Sequence, residues 1–434
     1  MGALRVGKFA KYLVSEGHDI RIVCAKDQPY AMDHPVEVPA EIIRYSRGWD
    51  VNWLPVMVQK IRVWLKGRSA DSGSGDSGQE PGGSPADAAP SSADASPGLL
   101  RRVLQFYQHI TNIPDSAIGW LLPALRSARA VTRDWQPDVV FASAPPFTTL
   151  IAGRIIARRA GVPLVIEYRD RWLEDPYGDE MPRFRRCLEC RIEEWCARRA
   201  DAIVTVSEPW AEDYRGRWGK PVRVCYNGFD PEDVVAFAGV EPVKSDKLTI
   251  LYTGIIYPER RDPTPLFRAL ALLGDDRLKI SVDFYGPNVA QLKSMADETA
   301  QQDIVTLHDG VPFAEALALQ HHADVLLLLQ WNNPLEAGNV PGKLFEYLAA
   351  RRPVIGIGYE DGVPARFLRE RGAGRVLNDP SEIAAYLRIL LDRKMQDGEI
   401  PLLPEGVKAG LSRPEQYGEI ATLLRDVAAA AKSE

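Results

Sequence analysis

The sequence predicts an α/β fold built from two doubly wound parallel sheets. Three observations carry that expectation. Apolar runs of strand length alternate with amphipathic helical patterns along most of the chain, and such alternation marks parallel strands with helices packed on both faces. The alternation occurs twice, on either side of a break at residues 236–247, "AFAGVEPVKSDK". A length of 434 residues also exceeds what one ordinary core holds.

Taken in order, the chain opens on a helix whose core face is Val6, Phe9, Ala10 and Leu13. The strands "HDIRIVCA", "PDVVFASA", "PLVIEYRD", "DAIVTVS" and "VRVCYN" follow, with amphipathic segments between most of them. Beyond the break, "LTILYTG", "KISVDFYG", "IVTLHDG", "ADVLLLLQ" and "RPVIGIG" repeat the scheme. Two Rossmann-like halves result, 1–236 and 237–412, and a helical tail, 413–434, is expected to cross back to the first half. In such folds ligands settle outside the carboxyl ends of the strands, so a cleft between the halves is the expected site.

Residues 69–98 break the pattern. They are Ser, Gly, Pro, Ala and acid, with no aromatic, Lys or Arg, so they bury too little to order themselves and read as a disordered insertion. Each flank is a basic amphipathic helix candidate. Residues 55–68 place Met57, Ile61, Trp64 and Leu65 on one face beside Lys60, Arg62, Lys66 and Arg68. Residues 99–110 place Leu100, Val103, Leu104 and Tyr107 together beside Arg101 and Arg102. Such faces suit either an anionic membrane surface or packing on the first half.

Composition excludes several classes. Hydrophobic residues make up 45% and charged residues 26%, the balance of a globular protein. A net charge of -6 argues against nucleic acid as a partner. No apolar run reaches the about twenty residues of a spanning helix. The N-terminus "MGALRVGKFAKYL" lacks the apolar core of a signal peptide. A cytoplasmic protein, peripheral on the inner face of the membrane if the basic helices bind it, is expected. Cys187 and Cys190 form a C-x-x-C, but on a helical pattern with no second pair or nearby histidine they read as structural filling.

Dinucleotide, phosphate-loop and nucleophile-elbow motifs are absent, and no Asp-x-Asp occurs. His321 and His322 are adjacent and point apart, so no metal or cofactor is expected. What remains is a set of glycine-bearing loops after strands. The most telling is "NVPGKLFEYLAA", Asn339 to Ala350. A helix that opens on Pro-Gly presents free N–H groups and the positive end of its dipole, where a phosphate settles.

These loops together resemble the GT-B glycosyltransferases of retaining family 4, in particular a subgroup that builds cell-surface polysaccharides. The carrying residues are Asn227-Gly228-Phe229-Asp230, Tyr252-Thr253-Gly254, Phe284-Tyr285-Gly286, His308-Asp309-Gly310 and Pro341 through Tyr347. "ASAPPFTT" and "YRDRW" add to them in the first half. The resemblance spans residues 1–425 apart from the insertion, and rests on order and spacing rather than on one motif.

The resemblance implies transfer of a hexosyl or N-acetylhexosaminyl group from a nucleotide-sugar donor to a lipid-linked or polysaccharide acceptor. Glu346 matches the second acid of the family's E-x7-E motif, which holds the donor ribose. Gly338, Asn339, Val340, Pro341, Gly342 and Lys343 would carry sugar and diphosphate, with Gly254, Gly310 and Val311 beside the phosphates and base. Arg261 matches a basic residue of the pyrophosphate pair. Asp170, flanked by Arg169 and Trp172, is placed to orient sugar or acceptor, with Asn227 on the same side. Asp170 reads equally well as a helix cap.

Three departures accompany the resemblance. The first acid of the motif is Gly338, with Glu336 two residues away. Ile255 stands where the family often has arginine. The family's first strand and glycine-rich loop have no counterpart before the opening helix, so the natural chain is expected to start roughly 10–25 residues earlier, which N-terminal mass spectrometry of the native protein tests. Two rival readings are a nucleotide-sugar 2-epimerase, for which six histidines are few, and a degenerate non-catalytic subunit of the same fold.

Overall fold

The computed structural model describes residues 2–26, 37–58, 99–174, 181–237, 245–257, 260–287 and 290–433. The 69–98 insertion, most of the 55–68 helix candidate and part of the linker at the sequence break lie outside them. Contact density divides the chain into two units, Met1–Val204 with Leu423–Glu434, and Thr205–Thr422.

Unit 1 opens on helix α1, Gly2–Ser15. Phe9 and Ala10 are buried as expected, and the Phe9 ring meets Phe141 edge-on at 5.4 Å. Strands β1 (Ile22–Ala25) and β2 (Ile43–Ser46) pair in parallel as a separate two-stranded piece. Strand β3 (Val140–Ala144) pairs in parallel with β4 (Leu164–Tyr168), and β5 (Ala202–Thr205) lies next to β4. Helices α2 (Leu99–Thr111), α3 (Leu121–Val131), α4 (Thr148–Ala160) and α5 (Arg183–Ala197) belong to this unit. Gly153 of α4 lets helix and strand touch, because a Cβ there would fall 2.5 Å from that of Ala142.

Unit 2 begins at β5's last residue with α6 (Glu208–Trp218), β6 (Val222–Val224) and α7 (Pro231–Val235). Its sheet consists of β7 (Leu248–Thr253), β8 (Ile280–Tyr285), β9 (Val305–His308), β10 (Val325–Leu329), β11 (Val354–Ile357) and β12 (Gly374–Val376), all parallel. The order is β12-β11-β10-β7-β8-β9. Counted from β7 this is the 3-2-1-4-5-6 order of a doubly wound sheet, which switches direction between β7 and β10. Helices α8 (Thr264–Ala271), α9 (Ala290–Glu298), α10 (Phe313–His322), α11 (Gly342–Ala350), α12 (Val363–Glu370) and α13 (Pro380–Asp397) complete the layers. Helix α14, Arg413–Ser433, ends the chain, and its residues from Leu423 group with unit 1.

The uninterrupted apolar run of β10 follows from burial on both sides. Val325, Leu327 and Leu329 enter one core and Leu326 and Leu328 the other. The division at Val204 differs from the sequence break at 236–247, and the packing shows why. Tyr226 meets Phe345 and Phe367 at 6.0 and 5.0 Å, and Phe229 bridges to Ser412. Tyr226 and Phe229 thus already pack with residues of the second unit before the linker.

Candidate functional site

In unit 2 the carboxyl ends of β7, β8 and β9 bring three glycines together. Gly254 has φ +138° and Gly286 φ +153°, conformations that favour glycine. A Cβ at Gly286 would fall 2.1 Å from the Gly254 carbonyl oxygen, and one at Gly310 lies 4.0 Å from Gly286 Cα. Gly310 is exposed and Val311 half-buried. The stacked rings of Tyr285 and His308, 4.0 Å apart, and the 2.9 Å bond from His308 Nε2 to Asp283 hold β8 and β9 in place.

The switch point supplies the charge. Lys343, in the first turn of α11, runs its side chain across Gly254: a Cβ there would sit 1.6 Å from Nζ. The ammonium is 3.4 Å from the Tyr252 hydroxyl and 4.5 Å from the centre of that ring. Among the described residues it has no carboxylate within salt-bridge distance. Burial, and then the charge of Arg261, push its pKa down to about 7. Arg261 donates to the Ile255 carbonyl at 3.0 Å, also bonds Tyr252, and lies 4.6 Å over the Tyr257 ring. Two cations therefore share the end of β7, where Ile255 had left the side-chain charge thin.

Helix α11 starts one residue later than its sequence implies. Pro341, with ψ 144°, is the cap, Gly342 is the first helical residue, and no side chain caps the turn. Val340 is buried. Glu346 lies one turn on, half-buried, and accepts from Gln320 Nε2 at 3.2 Å. Gln320 also donates to Thr253 Oγ1 at 3.0 Å, which ties the carboxylate to the end of β7. Burial pushes the Glu346 pKa up, against the Gln320 bond and Lys343. Glu346 also lines a small open recess with Phe229, Asp230, Phe313, Leu317 and Arg413.

Gly338 has no room for an acid. A Cβ would fall 2.3 Å from Trp210 Nε1 and 3.0 Å from Ser207 Oγ. Glu336 is 1% exposed, and its carboxylate accepts from Asn339 Nδ2 at 3.0 Å. The Asn339 carbonyl accepts in turn from Gln330. Glu336 thus braces the loop that carries Asn339. Asn227 is half-buried, in the turn where Gly228 has φ +64° against the Leu411 carbonyl.

Unit 1 carries the other named residues at the end of β4. Asp170 is exposed. Arg169 is half-buried, bonds the Pro145 carbonyl, and burial lowers its pKa. Trp172 is turned inward: it stacks on Phe147 at 4.6 Å and donates to Glu189 at 3.0 Å, so it holds the loop. Cys187 and Cys190 are exposed on α5 rather than packed. Among the described residues no cluster of acid, histidine and cysteine could hold a metal ion.

Sequence reasoning quoted Tyr252 within a loop motif but gave it no role, and did not single out Gln320 or Trp210. Strand alternation assigns Tyr252 to the core, and nothing local shows that its hydroxyl receives two cations. Gln320 and Trp210 reach the site only through tertiary packing.

Residues 2–228 match the family of glycosyl transferase 4-like domains. No curated protein matches the chain. Among solved structures, sucrose-phosphate synthase from Thermosynechococcus elongatus is similar over 98% of this chain and 93% of its own, at 15% identity and a TM-score of 0.60. HepE of Anabaena, solved in complex with UDP, is similar over 75% of this chain and 89% of its own, at 15% identity and a TM-score of 0.52. At such identities the likeness is one of fold, two parallel α/β domains of GT-B type. The match over more than half of the 434 residues, on that fold, makes the chain a member of the glycosyl transferase 4-like family.

Proposed function

We propose that the protein transfers a hexosyl or N-acetylhexosaminyl group, with retention, from a nucleotide-diphosphate donor to a lipid-linked or polysaccharide acceptor of cell-envelope glycan synthesis. The observation that carries this reading is the pairing of Lys343 and Arg261 around Tyr252 at the switch point, one helical turn from Glu346. UDP in the HepE structure supports a nucleotide donor. As the bond from sugar C1 to the diphosphate breaks, negative charge grows on the leaving oxygens. Lys343, Arg261 and the uncapped N–H groups of α11 are preorganised to stabilise that charge. The acceptor hydroxyl attacks C1 from the departing side and gives its proton to the leaving phosphate. Glu346 accepts from the ribose hydroxyls, while Asp170 and Arg169 orient sugar and acceptor. No metal enters this scheme, because the two cations supply the counter-charge. The protein would act on the cytoplasmic face of the membrane that carries the acceptor.

Incubation with a panel of nucleotide sugars, with and without membrane lipids, tests the reading. Mass spectrometry should find a glycosylated acceptor and free nucleoside diphosphate. An epimerised donor would reveal a 2-epimerase instead, and absence of turnover with every donor would leave the degenerate subunit.

A further inference from the structure

The geometry points to a face of unit 1, formed by α2 and α5, as the surface that docks on an anionic lipid bilayer. On α2 the residues Val103, Phe106 and Ile110 are 54%, 57% and 49% exposed, at helical spacing. On α5 Phe184 and Leu188 are 49% and 42% exposed. The rings of Phe106 and Phe184 lie 6.4 Å apart, which joins the two stripes into one ridge. Large side chains this exposed on two adjacent helices need a partner.

Charge decides which partner. Arg102, Arg183, Arg186 and Arg191 are exposed on the same two helices. Helix α2 carries no carboxylate at all. On α5, Glu189 and Glu193 are turned inward and 1% exposed, with Glu189 bound by Arg185 and Trp172. Only Glu194 remains at the surface, and Arg198 pairs with it. Among the described residues of these two helices the outward face is thus apolar and basic, in a chain whose net charge is -6. A second copy of the chain would set arginine against arginine. A bilayer accepts both features, since apolar rings enter the headgroup boundary while long arginine side chains reach the phosphates.

The face differs from the one read in the sequence. Leu104 and Tyr107 are half-buried, and Tyr107 donates to the Val51 carbonyl, so part of the expected stripe packs inward. The stripe a turn away is uncovered among the described residues, and α5 completes it. In naming where a lipid-linked acceptor is met, the proposal rests on the transfer reading, but its test does not require turnover.

Full-length protein would be sedimented with phosphatidylcholine vesicles with and without phosphatidylglycerol. Wild type should bind only the anionic vesicles. The Phe184→Glu/Leu188→Glu and Arg186→Glu/Arg191→Glu variants should each bind roughly tenfold or more weakly. Circular dichroism and donor affinity without vesicles should match wild type, because all four residues are exposed and far in sequence from the donor loops. Unchanged sedimentation of both variants overturns the proposal. So does equal binding to neutral vesicles, or a shift in oligomeric state with lipid binding intact. Loss of donor binding in wild type would refute the transfer reading and leave the vesicle result standing.

Discussion

Lys343 holds a charge where a charge is costly. Its folded pKa of about 7 lies below the ordinary lysine value, so the unfolded chain binds the extra proton between those limits. Stability therefore rises with pH from about 7 upward, and levels off once the unfolded state also gives up its proton. Lys343→Met should raise the melting temperature at pH 7 and below, with the gain vanishing near pH 10. The same change should weaken nucleoside diphosphate binding by about 1.5–3 kcal/mol, the loss of a charge-assisted bond. Wild-type affinity should fall as pH rises through 7 and stay flat in the variant. Calorimetry across pH checks both, and a parallel pH profile would remove Lys343 from the site. Glu346→Ala should cost about 1–3 kcal/mol of donor affinity; unchanged affinity in a folded protein would show that Glu346 does not touch the donor. Gly338→Ala should destabilise the fold by about 1–3 kcal/mol through overpacking against Trp210, read as a lowered urea midpoint.

Among elements, α1 is held by more than its apolar face. Arg5 donates to Glu167 of β4 from Nε and Nη2 at 3.0 and 2.8 Å, both side chains nearly fully buried. Ser143 of β3 donates to the same carboxylate. The pair fastens the helix across two strands. Arg5→Ala would leave Glu167 buried and uncompensated, at a cost of about 3–5 kcal/mol. Urea unfolding should show it, and a midpoint equal to wild type would mean that the pair contributes nothing net. Removal of residues 69–98 should by contrast leave the melting temperature nearly unchanged, since their composition offers few contacts to lose. A clear drop in the melting temperature of the deletion variant would contradict that.

For the whole molecule, the decisive feature is the switch in strand order between β7 and β10. It opens a crevice at the carboxyl ends, where Gly254 and the loop before α11 lie. A nucleoside diphosphate that binds there stabilises unit 2 first. At a hundredfold excess over Kd the gain is about 2.7 kcal/mol. Calorimetry with UDP, GDP and ADP should raise the transition of unit 2, and the nucleotide with the largest shift names the donor base. Absence of a shift with all three would refute the assignment of the crevice to the donor.

The sequence alone was enough for the fold class and for all ten strands it named, because period and burial are written locally. A run such as "ADVLLLLQ" suits a strand buried on both faces, and a Pro-Gly step before an apolar pattern suits the first turn of a helix, as both prove to be. The short strands β2 and β12 escaped notice, having too few residues to show a period. The glycine- and proline-bearing start of α11 was legible for the same local reason, as those residues determine backbone geometry where they stand. What the tertiary structure alone decided were the partnerships. Lys343 reaching Tyr252 across 91 positions, Trp210 closing Gly338 to any side chain, and Phe106 meeting Phe184 depend on which elements become neighbours. Neighbourhood is set by the packing of whole sheets and helices, and no short stretch of sequence encodes it.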